Sequence, residues 1–142
     1  MSSILGTKVK ISVFGESHGE AIGVVIDGLP AGHTIDFDWV YEEMKRRSPG
    51  RNKFSTTRVE KDVPRVLSGI FEGKTTGAPL TAIIENTNTN SKDYSELKSK
   101  MRPSHADYPA MVKYKGFNDY RGGGHFSGRL TAMFVVAGAV CK

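Results

Sequence analysis

Two apolar runs joined by a short, glycine-bracketed connection constrain this chain more than any other feature. Val9, Ile11 and Val13 alternate with Lys10, Ser12 and Phe14, the period of two that a strand with one buried face requires. Residues 21–26 form a second β-rich run. Between them lies Gly15-Glu16-Ser17-His18-Gly19-Glu20, whose glycines permit a tight reversal. The spacing predicts an antiparallel hairpin displaying Glu16, Ser17 and His18 at its tip.

Further along, Gly28-Leu29-Pro30-Ala31-Gly32 reads as a loop. Asp36 or Asp38 can cap a helix whose apolar positions Phe37, Val40, Tyr41 and Met44 recur at helical spacing. Lys45, Arg46 and Arg47 fall in its last turn, where base complements the macrodipole. Ser48-Pro49-Gly50 ends that helix, and the basic, hydroxyl-rich stretch 51–58 reads as an anion-facing loop or edge strand. The runs 66–71 and 80–84 predict a second hairpin across the turn-rich connection 72–77. Residues 86–91 read as a polar loop, 94–100 as one or two helical turns broken at Arg102-Pro103, and 106–115 as helix. A glycine-rich loop, 119–129, leads into a helix over 130–142 that is apolar nearly all round and is expected to be buried against partners. That helix stops at Lys142 without a glycine cap, the pattern of a fragment of a longer protein or of a domain completed by another chain.

The 142 residues, 38% hydrophobic and 25% charged, have the profile of one soluble domain. A formal net charge of +5 favours anionic partners without choosing between nucleic acid and small phosphorylated or carboxylated metabolites. The single cysteine, Cys141, cannot form an internal disulfide and fits a reducing cytoplasm. Residues 1–10 hold no signal-peptide core. The longest apolar run, 130–141, is too short for a bilayer span of roughly twenty residues.

His18 and His105 each sit beside a serine and a small residue in a predicted loop. Two readings fit. Each imidazole either protonates a leaving group or bound anion near neutral pH, or closes a turn by bonding to backbone. The cations Arg46, Arg47, Arg51, Lys53 and Arg58, joined by Arg102, Arg121 and Arg129, either clamp carboxylate or phosphate oxygens or form a solvated face. The segment Arg121-Gly122-Gly123-Gly124-His125-Phe126-Ser127-Gly128-Arg129 reads as a phosphate cradle before a helix, as a hinge, or as a lone copy of an RNA-binding unit. Gly69-Ile70-Phe71-Glu72-Gly73-Lys74-Thr75 imitates a P-loop, but its glycines stand one residue too close, and Gly77 and Pro79 prevent the helix that must follow. The four histidines show no metal-ligand spacing.

In its motifs the chain resembles the chorismate synthase family over essentially its whole length. These are Phe14-Gly15-Glu16-Ser17-His18-Gly19, Asp27-Gly28-Leu29-Pro30-Ala31-Gly32, Arg46-Arg47-Ser48-Pro49-Gly50, Ser68 to Gly77, Glu85-Asn86-Thr87-Asn88, Arg102-Pro103-Ser104-His105-Ala106-Asp107-Tyr108 and Asp119-Tyr120-Arg121-Gly122-Gly123-Gly124. Several separate motifs in one order are far more specific than any single one.

The resemblance implies an α+β fold, a β-α-β sandwich of antiparallel sheets around central helices, of which residues 1–142 are the N-terminal portion of a single domain. It implies a cytoplasmic homotetramer. The implied reaction is the trans-1,4 elimination of phosphate from 5-enolpyruvylshikimate 3-phosphate to give chorismate, with reduced FMN required. That flavin is supplied externally or by an NADPH-dependent reductase activity, a division known within the family. By resemblance His18 protonates the departing phosphate and His105 protonates the reduced flavin. Arg46 and Arg47 bind substrate anions, with Lys53 where the family usually has arginine. His125, Phe126 and Ser127 fall where the family contacts FMN, with Arg129 able to restore a charge contact. Ser104 stands in place of the usual glycine, and His125-Phe126 in place of Arg-Ser. The implied partner is a small-molecule substrate, with no nucleic acid and no membrane. The alternative is a catalytically incomplete fragment acting only as an oligomerisation or interaction domain.

Overall fold

The residues that alternate in the first hairpin set the register at the centre of the sheet. The computed structural model describes residues 3–48, 62–87, 94, 96 and 98–142. Its strands and α-helices, in chain order, are β1 (Ile4–Gly6), β2 (Lys10–Gly15), β3 (Ala21–Asp27), α1 (Phe37–Arg47), β4 (Arg65–Ser68), β5 (Ile70–Phe71), β6 (Lys74–Thr75), β7 (Leu80–Glu85), α2 (Asp107–Lys113) and α3 (Thr131–Val140). Five strands form one antiparallel sheet in the order β1-β2-β3-β7-β4. The predicted hairpin is its β2–β3 pair, with Val13 opposite Val24 and Phe14 opposite Gly23. The short strand β1, which the alternation did not signal, edges β2.

The run expected as one strand over 66–71 is two. It breaks at Gly69, where a Cβ would lie 2.4 Å from the Leu80 Cα. Before the break β4 pairs with β7, giving the expected antiparallel partner; after it, β5 turns back on β6 as a separate ribbon.

One face of the sheet makes the core. Ile22, Val24 and Ile26 of β3 and Leu80, Ala82 and Ile84 of β7 are buried together, each large aliphatic side chain contributing about 1.5–3 kcal/mol by leaving water. Helix α3 covers this face with Ala132, Met133, Val136 and Ala137, and α1 packs against α3 through Val40 and Met44. Asp36, not Asp38, caps α1, accepting from the Trp39 N–H at 3.0 Å. The last helix, expected to be buried against partners, is covered within this chain on one side: Phe134 is 42% exposed and Gly138 is exposed. The sheet and α1 together cover less than the full circumference of a helix.

The basic stretch 51–58, including Lys53, and most of the loop 86–91 lie outside the described residues, as do parts of 94–100. No helix among the described residues is long and apolar enough to cross a membrane.

Candidate active site

The turn between β2 and β3 carries Ser17 and His18, and both are buried, at 2% and 7% exposure. A hairpin tip is normally wet, so this one is covered from elsewhere. Asn86, just beyond β7, donates its amide hydrogens to the Glu16 and Gly19 carbonyls at 3.0 and 2.9 Å, while its backbone N–H bonds to Glu20 O. From the far side the Ser17 N–H reaches Gly124 O at 3.2 Å. The Ser17 hydroxyl donates to the carbonyl of Arg121 at 3.2 Å. Its proton thus spent, Oγ accepts from Nδ1–H of His18 at 3.0 Å. The neutral ring therefore carries its lone pair on Nε2. The Tyr94 ring meets it edge-on, 4.7 Å between centroids.

His105 comes from the loop ahead of α2, directly after Ser104, which sits in the left-handed region at φ 59°. Its Nδ1 lies 2.8 Å from the Asp107 carboxylate. Arg102 grips the same carboxylate through Nε at 2.8 Å, Nη2 at 2.9 Å and its backbone N–H at 3.0 Å. The Arg102 guanidinium holds the Asp107 carboxyl well below the usual range, against the opposing effect of burial.

The glycine-rich loop joins these two histidines. Asp119 braces it, accepting from the Arg121 N–H, Nε and Nη2 at 3.0, 2.9 and 2.7 Å. Burial alone would raise the Asp119 carboxyl, but Arg121 holds it below its ordinary value. Gly122 and Gly123 then adopt φ of 57° and 96°, which glycine enters without steric cost. A Cβ on Gly122 would lie 2.3 Å from His18 Cε1, and one on Gly123 would lie 2.7 Å from His105 Cε1. The missing side chains are the space the two imidazoles occupy. Neither the cradle, the hinge nor the RNA-unit reading describes that packing.

Two cavities meet at the segment Phe117-Asn118-Asp119. One, of about 440 Å³, is bounded by Asp107, Gly123, Tyr120 and Lys98. The other, of about 460 Å³, has aromatic walls from Phe14, Tyr114, Phe117 and Phe126, with Ser12 and Glu16 among its polar groups. Phe14 lies flat there because Gly23 opposite it is bare; a Cβ would come within 2.2 Å of the ring.

The other expected residues are distributed unevenly. His125 and Phe126 line the second cavity. Both nitrogens of His125 are engaged, Nδ1–H donating to Gly15 O at 2.9 Å and Nε2 accepting from Ser3 Oγ at 2.8 Å. Ser127 accepts from the Arg129 N–H. Arg129 points inward, its Nη1 on Asp62 at 2.5 Å and its Nε on Asn86 at 3.2 Å. Arg47 holds the other Asp62 oxygen at 2.9 Å. A hydrogen-bonded chain therefore runs Arg47, Asp62, Arg129, Asn86 to the His18 turn. Arg46 is exposed and pairs with Glu43; Lys53 lies outside the described residues. Sequence reasoning assigned no role to Asp62, Asn86 or Asp107. Only Asp107 left a local signal, an acid two residues after a candidate histidine.

Two imidazoles packed against one glycine turn, with ion-paired arginines around it, are groups able to exchange protons near neutral pH. Residues 9–142 match the chorismate synthase family model, and the chain belongs to the chorismate synthase family. It is 50% identical over 137 residues to chorismate synthase of Thermococcus kodakarensis, covering 96% of this chain and 38% of that relative. It is 56% identical over 137 residues to that of Christiangramia forsetii, again 96% and 38%, and 50% identical over 142 residues to that of Dehalococcoides mccartyi, 100% and 39%. A crystal structure of chorismate synthase superposes with a TM-score of 0.66 at 30% identity, covering 96% of this chain and 33% of that one. The chain thus spans 38–39% of the length of these curated relatives.

Proposed function

We propose that this chain carries the proton-transfer half of a chorismate synthase site, a lyase of aromatic amino acid biosynthesis that removes phosphate from 5-enolpyruvylshikimate 3-phosphate by trans-1,4 elimination. The observation that carries the reading is the seating of His18 and His105 on adjacent glycines. In the reaction the C–O bond to phosphate breaks with its electron pair leaving on oxygen, and a ring proton is lost. A phosphate leaves more readily when protonated. His18, protonated at Nε2 with its Nδ1–H held by Ser17, supplies that proton. Arg47, Arg46 and Lys53 contribute cations for the substrate's phosphate and carboxylates, Arg47 exchanging part of its hold on Asp62 for the anion.

The aromatic-walled cavity suits the flat ring of a flavin with polar atoms at its edge. Phe14, Tyr114 and Phe126 would hold that ring and His125 would stand at its border. Ser127 and Arg129 act behind this wall, Ser127 accepting from the Arg129 N–H and Arg129 holding Asp62 and Asn86 through Nη1 and Nε. Reduced FMN, when bound, supplies electron density that weakens the C–O bond. His105 holds a proton at Nε2 for transfer at the flavin. The working assembly is a cytoplasmic homotetramer, with NADPH as reductant where the reductase activity is intrinsic.

His18→Ala and His105→Ala are each expected to lower elimination by roughly two to four powers of ten; turnover at the wild-type rate after either change refutes the assignment. Flavin binding and phosphate release, measured with and without the C-terminal segment of a relative appended, separate this reading from that of an interaction module.

A further inference from the structure

Asn86 follows β7 directly and commits both ends of its side-chain amide. Its backbone N–H donates to Glu20 O at 2.9 Å, one step beyond the Ala21–Glu85 pair of the β3–β7 ladder. Its Nδ2 donates to Glu16 O at 3.0 Å and to Gly19 O at 2.9 Å. Those carbonyls belong to the two ends of the turn 16–19, which the Gly19 N–H closes on Glu16 O at 3.1 Å. Ser17 and His18 are the residues between them. At the other end of the amide, Oδ1 accepts from Arg129 Nε at 3.2 Å. The partners leave the amide one orientation, since two carbonyls require its hydrogens and a guanidinium requires its oxygen.

We propose that Asn86 is a positioning residue for His18: it clips both ends of the turn that carries the imidazole and ties that turn to Arg129. This rests on the reading of His18 as the acid that protonates the departing phosphate. The glycine-rich loop holds the same turn from the other side, through the Ser17 N–H on Gly124 O and the Ser17 hydroxyl on Arg121 O. With both sides held, the backbone under the imidazole has little freedom to rotate. Through Arg129 and Asp62 the clip also reaches Arg47, the cation that the same reading puts on the substrate anion. One hydrogen-bonded line thus fixes the acid relative to the cation. Asn86 acts through His18, since a side-chain amide has no proton to exchange near neutral pH.

The demand at position 86 is specific. Aspartate has the same shape and keeps an acceptor for Arg129, but it turns a carboxylate oxygen on two carbonyls. Alanine offers neither group. The first measurement needs no variant to fold: hydrogen exchange of the side-chain amides of the wild type, followed by NMR. The Asn86 NH2 is expected to exchange at least about tenfold more slowly than a solvated asparagine amide. Exchange at the solvated rate overturns the proposal. In histidine-labelled protein, Asn86→Ala is expected to shift the ring resonances of His18 and to leave those of His33, whose backbone is held by Thr75, in place. Unmoved His18 resonances in a folded variant overturn the proposal. Equal movement of both rings makes Asn86 a general structural group, and overturns it as well.

Kinetics supply the second arm. Asn86→Ala and Asn86→Asp are each expected to lower kcat for elimination by roughly a hundredfold, the effect of displacing a reacting group by about 1 Å. In a His18→Ala background the further loss is expected to be small, because the group being positioned is gone. The same loss with and without His18 would show that Asn86 acts elsewhere, and the proposal would fall. Wild-type kcat in Asn86→Asp would show the two donors to be dispensable, with the same result. If the His18 resonances move in Asn86→Ala while His18→Ala leaves turnover intact, the hold on the turn stands and the reading of His18 as the acid fails.

Discussion

His18 and His105 rest on consecutive residues of one turn, the first against Gly122 and the second against Gly123. They arrive from opposite directions, one from a hairpin and the other from the loop ahead of a helix. Nδ1 of His18 is hydrogen-bonded with Ser17 Oγ, and Nδ1 of His105 is hydrogen-bonded with Arg102 Nη2 and lies 2.8 Å from Asp107 Oδ1. The glycine turn thus sets the spacing of the two imidazoles, and the Asp119–Arg121 pair braces its approach.

Gly122→Ala and Gly123→Ala are expected to be costly for two reasons at once. Each forces a side chain into a left-handed backbone, a penalty of about 1 kcal/mol or more. Each also drives a methyl group into an imidazole. Displacing a reacting group by about 1 Å can lower a rate roughly a hundredfold. Elimination kinetics together with urea unfolding measure both; a variant that keeps wild-type rate and stability contradicts the packing.

Ser104→Gly is expected to stabilise the protein. Ser104 holds φ 59°, a conformation that costs an L-residue about 1–2 kcal/mol, and the extra freedom of glycine when unfolded returns about half of that. A net gain of about 0.5–1 kcal/mol, or about 2–4 °C in Tm, follows. A lower Tm shows that the Ser104 side chain contributes more than its backbone strain takes away.

Asp62→Ala is expected to destabilise by about 3–5 kcal/mol, the usual result of stripping one member from a buried ionic group. Arg47 and Arg129 share that carboxylate, whose side chain is 3% exposed. Removing it leaves two guanidinium groups facing each other. Adding Arg47→Ala to Asp62→Ala should then recover part of the loss in chemical denaturation, and strict additivity counts against the shared arrangement.

Acid should weaken the fold through two carboxylates. Arg102 depresses Asp107, and Arg121 overcomes burial to depress Asp119. Both are more acidic when folded than the value of about 4 they have when unfolded. Their stabilisation is therefore complete above that value and is lost as the pH falls toward the depressed ones. Unfolding midpoints should decline below about pH 4, and less steeply in the Asp107→Asn, Asp119→Asn double variant; equal slopes would exclude these groups as the cause.

The first hairpin and the helix after Asp36 were legible in the sequence because they depend on neighbours in the chain, whereas the α+β class came with the family resemblance. Period-two alternation from Val9 to Phe14, an acidic cap and a basic last turn are local signals with local causes. The split at Gly69 was not legible, since it depends on how closely the backbone passes Leu80. Nor was the uncovered side of α3, which depends on how much of a helix one sheet and one neighbour can hide.

The candidate site divides in the same way. By itself the sequence determined which groups are available: imidazoles at His18 and His105, cations at Arg47, Arg102 and Arg129, and bare backbone at Gly122 and Gly123. Only the tertiary structure decided what each does, because tautomer, burial and pairing are set by atoms that approach through space. It turned Arg129 inward onto Asp62, occupied both nitrogens of His125, and set Arg102 and Asp107 against Nδ1 of His105. A glycine triplet has no chemistry of its own; it became a seat for two rings only when a hairpin and a helix-leading loop folded against it.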